Sequence, residues 1–157
     1  MAVQTATYGG LLRSISSTVD LDATPERVWA VLTDTAAYGA WNPFITQLDG
    51  NLQVGNKIHV RIAPPGRKPM MFHPVVTDAD AGHKLAWLGR LLIPGVFDGA
   101  HSFTLEPLAD GRTRFVQSEK FSGVLVWFAR GLLTNTAAGF DAMNEALRQR
   151  LAQPGTA

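Results

Sequence analysis

The chain has 157 residues, 46% hydrophobic and 17% charged, with a formal net charge of +1. That composition suits one globular domain with a sizeable core, not a disordered chain, and with Lys and Arg scattered rather than clustered it shows no strong electrostatic footprint for nucleic acid. The lack of any cysteine excludes disulfides, thiolate chemistry and cysteine-ligated metals.

The first residues, MAVQTATYGGLLRS, hold no apolar core long enough for a signal peptide. The longest apolar run, Val124–Ala129, is far too short to span a bilayer. A cytoplasmic protein with no integral membrane segment is expected. Residues 11–21 alternate: Ile15, Ser17, Val19 and Leu21 share one face, and Ser14, Ser16, Thr18 and Asp20 the other. That predicts a half-buried strand. In the following ATPERVWAVLTD, Thr24 suits an N-cap, Pro25 the first helical position and Glu26 the first turn. Val28, Val31 and Leu32 make the apolar face of a short helix ending near Asp34. A second helical turn is expected over Thr35–Tyr38.

After the turn Trp41-Asn42-Pro43-Phe44, strands alternate with turn signals. Ile45–Leu48 leads into Asp49-Gly50. Residues 56–63 put Ile58, Val60 and Ile62 on one face and His59 and Arg61 on the other, before Pro64-Pro65-Gly66. Residues 70–82 read as strand then turn, with His73 of ambiguous parity and Pro74 suggesting an edge or a bulge. Strands follow over 84–92, 101–108 and 112–123, the last two joined by the hairpin signal Asp110-Gly111. From Val124 to Leu151 there is no proline. Val126, Ala129, Leu133, Ala137, Phe140, Leu147 and Leu151 recur at threes and fours, which predicts one long amphipathic helix. With no repeat or linker, a single domain over 1–157 is expected, its core at 11–151. Consecutive hairpin-joined strands imply an antiparallel sheet, and only the C-terminal helix is long enough to cover it: an α+β fold.

Parity places several polar residues on apolar faces. His101, Phe103 and Leu105 share one strand face; Phe115, Gln117, Glu119 and Phe121 share another; Leu85, Trp87 and Gly89 a third. Asn144 lies on the helix stripe between Phe140 and Leu147. Buried polar groups cost free energy unless paired, so Glu119 and His101 either satisfy each other or the backbone, or they face a ligand. His59 and Arg61 read as surface, and His83 as a solvated turn residue. No two histidines stand at helical metal spacing and no His-Glu-x-x-His occurs, so no metal site and no cofactor are expected. Neither a nucleophile elbow nor a glycine-rich phosphate loop is present. Trp127 and Phe128 point off the helix stripe, either covered by the N-terminal segment or forming a contact patch for a partner or membrane.

This element order, together with WNPFI, KPMMFHPVVTDADAGHKLAWLGRL, FDGAHSFTLEP and TRFVQSEKFSGVL, resembles the START-like (SRPBCC) superfamily from about Leu12 to Leu151. That helix-grip group includes polyketide cyclases, lipid-transfer domains and plant pathogenesis-related allergens. More narrowly, the chain resembles bacterial polyketide cyclase/dehydrase-like proteins. The resemblance implies a curved antiparallel sheet around a long C-terminal helix, with two short helices between the first two strands. It also implies an internal cavity between sheet and helix for a hydrophobic small molecule, a lipid or polyketide-like aromatic. Trp41 and Phe44 would then lie near the entrance, as rim or as an end plug. Phe72, Trp87, Phe103, Phe115 and Phe140 would line the cavity, and His101, Gln117, Glu119 and Asn144 would orient the ligand.

A binder or carrier is the first reading. A cyclase or dehydratase using His101 and Glu119 as acid and base is the second, with no catalytic residue assigned outright. A protein-interaction module presenting Trp127 and Phe128 is the third. The expected partner is the hydrophobic ligand, not nucleic acid; a homodimer stays open.

Overall fold

The structure is a computed structural model that describes residues 3–9, 12–91, 93–125 and 130–153. Its elements run β1 Val3–Gly9, β2 Leu12–Leu21, α1 Pro25–Thr33, a 3-10 turn Thr35–Ala37, α2 Tyr38–Trp41, β3 Ile45–Asp49, β4 His59–Ile62 and β5 Met70–Phe72. They continue with β6 Val75–Asp80, β7 Lys84–Leu91, β8 Phe97–Pro107, β9 Thr113–Ser122 and α3 Arg130–Ala152. The fold is α+β and helix-grip: a curved antiparallel sheet packed on the C-terminal helix.

The alternation over 11–21 is realised in β2, where Ile15, Ser17, Val19 and Leu21 are all buried. Thr24 caps α1 by accepting from Arg27 N, with Pro25 at the first helical position. Val28 and Leu32 are fully buried beneath it. Strands β1-β2-β9-β8-β7-β6 form one antiparallel sheet and β3-β4-β5 a smaller one. The two are joined where Lys57 bridges Val75, with Ile58 N donating to Pro74 O and Val76 N to Asn56 O, each at 2.9 Å. Helix α3 lays Leu133, Phe140, Met143, Leu147 and Leu151 into the core.

Four features differ from the sequence reading. The N-terminal segment forms β1, paired with β2 from Val3↔Thr18 to Gly9↔Leu12. Its sequence, VQTATYG, shows no clear hydrophobic alternation, so the strand is seen only from its backbone pairing with β2. The stretch 70–82 divides at His73-Pro74, because proline offers no N–H to continue the ladder; β5 then belongs to the small sheet and β6 to the large one, giving seven strands after the helices rather than six. The second helical turn extends to Trp41. Finally, the C-terminal helix does not begin at Val124: the N–H groups of Val124 and Leu125 donate to Gly95 O and Val96 O, so these residues belong to a loop contact, and among the described residues the helix runs from Arg130. The expectations for Trp127 and Phe128 lie outside the described residues. Among the described residues, no helix is long and apolar enough to cross a membrane.

Candidate ligand cavity

The turn after α2 is closed by Asn42, whose side-chain oxygen accepts from Phe44 N (3.0 Å) and Ile45 N (2.8 Å). This fixes the direction in which Phe44 enters the core. Its ring packs edge-on to Phe140 and directly over Gly139, where a Cβ would fall 2.2 Å from Phe44 Cδ2. A glycine in mid-helix costs helix propensity, and here it gives the ring its seat. Trp41 stays half-buried, tilted against Tyr38 with ring centroids 5.3 Å apart. The Tyr38 hydroxyl donates to Leu32 O, and its complete burial pushes its pKa well above the ordinary phenol range.

Phe44 and Ile45 form one wall of an apolar cavity. Val60 and Ile62 of β4, Met70 and Phe72 of β5, and Pro74 form the second; Trp87, Gly89 and Arg90 of β7 the third. Phe97, Gly99 and His101 of β8 and Glu119 and Phe121 of β9 make the floor. The space therefore lies chiefly between the two sheets. Helix α3 contributes Thr136, a smaller share than a cavity between sheet and helix implies. The cavity measures about 70 Å³ counted as room for the centres of water-sized molecules, and about 710 Å³ counted as all unfilled space out to open solvent. Exposed Met70 and Arg90 stand at the open side.

His101 and Glu119 meet directly across the β8–β9 pair, Nδ1 to Oε2 at 2.7 Å, with 3% and 12% of their side chains exposed. A carboxylate only accepts, so Nδ1 carries the hydrogen, and when the ring is neutral Nε2 keeps a lone pair. That Nε2 is buried and has no hydrogen-bond partner among the described residues. Trp87 stacks on the imidazole at 4.8 Å and 17°, and Phe103 and Phe140 meet it edge-on, so the ring is held in one orientation. Gly99 leaves room for the carboxylate: a Cβ there would stand 2.7 Å from Glu119 Oε1.

The four polar residues expected to converge divide into two groups. Gln117 Nε2 donates to Asn144 Oδ1 (3.2 Å), Asn144 Nδ2 to Ser17 Oγ (2.9 Å), and Ser17 Oγ to Asp141 Oδ1 (2.9 Å). This chain ties α3 to β2 and β9 and does not line the cavity. Nor do Trp41, Phe103, Phe115 or Phe140, the last three being fully buried in the core. Phe44, Phe72, Trp87, His101 and Glu119 do line it. Sequence reading did not single out Arg90, which has the outward parity of β7 and reaches the space only at the strand's end. It also passed over Gly99, which has no side chain to give a signal. Among the described residues, no group of three or more His, Asp or Glu is placed to hold a metal.

A family model described as polyketide cyclase / dehydrase and lipid transport matches residues 13–152. No curated protein matches the chain. Among solved structures, the protein Ms6760 from Mycobacterium smegmatis is similar at a TM-score of 0.75 with 15% identity, covering 99% of each chain. A START superfamily protein from the same organism is similar at 0.69 with 18% identity, covering 88% of this chain and 96% of that one. The Zhui aromatase/cyclase from Streptomyces sp. R1128 is similar at 0.72 with 18% identity, covering 89% and 93%. At such identities the likeness carries the fold alone.

Proposed function

This chain belongs to the polyketide cyclase / dehydrase and lipid transport family of START-like proteins, and we propose from that premise that it binds a hydrophobic small molecule in the cavity between its two sheets. The observation that carries the reading is the buried Nε2 of His101, without a hydrogen-bond partner among the described residues, in a mostly apolar wall. A buried polar atom without a partner costs free energy, about 1–3 kcal/mol, which a ligand hydrogen bond would recover. The ligand that fits is apolar over most of its surface and carries one hydroxyl or enol group for Nε2. Native mass spectrometry of protein purified from its own host tests this. A co-purifying apolar molecule of that kind is expected; an empty protein that also fails to take up a hydrophobic fluorescent probe would refute it.

The same pair favours a second reading, a cyclase- or dehydratase-type enzyme. Nε2 would take a proton from an enolisable substrate, and the Glu119 carboxylate would stabilise the imidazolium so formed. Glu119→Gln separates the two. For a binder the variant folds and loses at most about 1–3 kcal/mol of affinity. For an enzyme, binding survives while turnover falls about 100-fold or more.

A further inference from the structure

We propose that His59 and His73 form a surface site for a divalent transition-metal ion of tetragonal preference, Cu(II) foremost, with water completing the coordination. The two residues are far from helical metal spacing in sequence. The antiparallel register of β4 and β5, Val60↔Phe72 and Arg61↔Met71, brings them opposite each other one step further on. Their rings meet edge-to-face with centroids 4.7 Å apart, and Nδ1 stands 2.8 Å from Nδ1. Such a contact needs one Nδ1–H and one Nδ1 lone pair. When the donor ring moves its hydrogen to Nε2, with no net loss of a proton, and the two exposed rings turn so that their Nδ1 lone pairs converge, both nitrogens can bind one ion. Both side chains are exposed, so the Nε2–H groups are free to meet water.

The 2.8 Å contact is a hydrogen-bond distance and does not by itself choose the metal. Two nitrogens bound at about 2.0 Å stand about 2.8 Å apart at a right angle and about 3.3 Å apart in a tetrahedron, so either arrangement needs little change in spacing. The preference for Cu(II) follows from the imidazole ligands, which bind it most tightly among the first-row divalent ions. Asp49 is in register with His59 on its other side and offsets part of the ion's charge. The next residues inward, Val60 and Phe72, line the cavity. An ion on the outer face thus clamps β4 to the three-residue β5 and stiffens one cavity wall.

Titration with CuCl2 alone tests the site, with no cavity ligand needed. Expected are an axial Cu(II) resonance signal showing nitrogen coupling and, at about a hundred times Kd, a rise in melting temperature of roughly 5–10 °C. His59→Asn and His73→Asn should each fold and lose more than about tenfold in affinity, while His83→Asn, in an exposed turn, should leave affinity unchanged. Equal affinity in the parent and in both variants, or a signal without nitrogen coupling, would overturn the proposal. Should either Asn variant melt early without metal, the resonance signal of the parent still decides.

Discussion

Gly99 and Gly139 set the shape of the cavity wall in opposite ways. An added Cβ at Gly99 meets the end of the flexible Glu119 side chain. The carboxylate can swing away without moving the backbone, but it then lets go of His101 and leaves the buried Nδ1–H without its partner. Gly99→Ala should therefore be less stable by about 1–3 kcal/mol and bind a hydroxyl-bearing hydrophobic probe more weakly, by a similar amount in a calorimetric titration. Unchanged affinity would remove the His101–Glu119 pair from ligand recognition. At Gly139 the Cβ meets the ring of Phe44, at 2.2 Å from Cδ2 and 2.9 Å from Cγ. That ring is 2% exposed and wedged against Phe140, so it has nowhere to turn. Alanine gains about 1 kcal/mol of helix propensity, against an overpacking cost of about 1–3 kcal/mol. With so close a contact we expect net destabilisation of about 1 kcal/mol or more in urea unfolding. A more stable variant would mean that Phe44 yields freely. Neither role is legible in the sequence, since a glycine there shows only as a gap in a pattern. His101 and Glu119 are legible because period-two parity sets them among aromatic residues.

At the scale of elements, the readable parts are those whose side chains must alternate or recur. β2, β8 and β9 each bury one face, and the pattern shows it. β1 escapes notice because it is a strand by backbone pairing, and the start of α3 because Val124 and Leu125 spend their N–H groups on the loop Gly95–Val96. On the outer face, β2 and β9 are also linked by charge. Arg114 donates to both carboxylate oxygens of Asp20, at 2.9 and 3.1 Å. That hydrogen bonding holds the Asp20 carboxyl below the ordinary carboxylate range. The folded carboxyl thus takes a proton less readily than the unfolded one. Its stabilising effect is complete above the ordinary Asp range and is lost as pH falls through the lowered folded value. The pair is exposed, so the effect is small and screened by salt. Asp20→Asn should be slightly less stable than the parent at neutral pH and low salt, with the gap closing in strong acid. A gap that persists in acid would assign the loss to packing.

For the whole molecule, the two sheets differ in how firmly they are held, and the cavity lies between them. Strands β2, β9, β8 and β7 are each paired on both sides, so opening any of them breaks two ladders. The small sheet has strands of five, four and three residues. It joins the large one through the Lys57–Val75 bridge and a few backbone hydrogen bonds. Its edge strands are β3 and β5; β5 is the shorter, and its mouth residue Met70 is 38% exposed. The room of about 70 Å³ that the cavity offers to water-sized molecules is too small for a polyketide-sized guest, since pockets for such ligands run to about 300–1,000 Å³. Entry must therefore move a wall, and the wall with the fewest backbone bonds is β4–β5. Amide hydrogen exchange measures this directly, because local opening is governed by how many bonds and contacts must break. In the free protein, Val60–Ile62 and Met70–Phe72 should exchange well before His101–Leu105 and Phe115–Glu119. A saturating hydrophobic probe should slow the first pair of segments markedly and leave the second nearly unchanged. Trp87, which lines the cavity and stacks on His101, should report the same event by fluorescence. Trp41, packed on Tyr38 away from the lining, should report little of it. If protection instead appeared over Tyr38–Trp41 with a Trp41 signal, the entrance would lie at the α2 end of the core and β4–β5 would be a fixed wall.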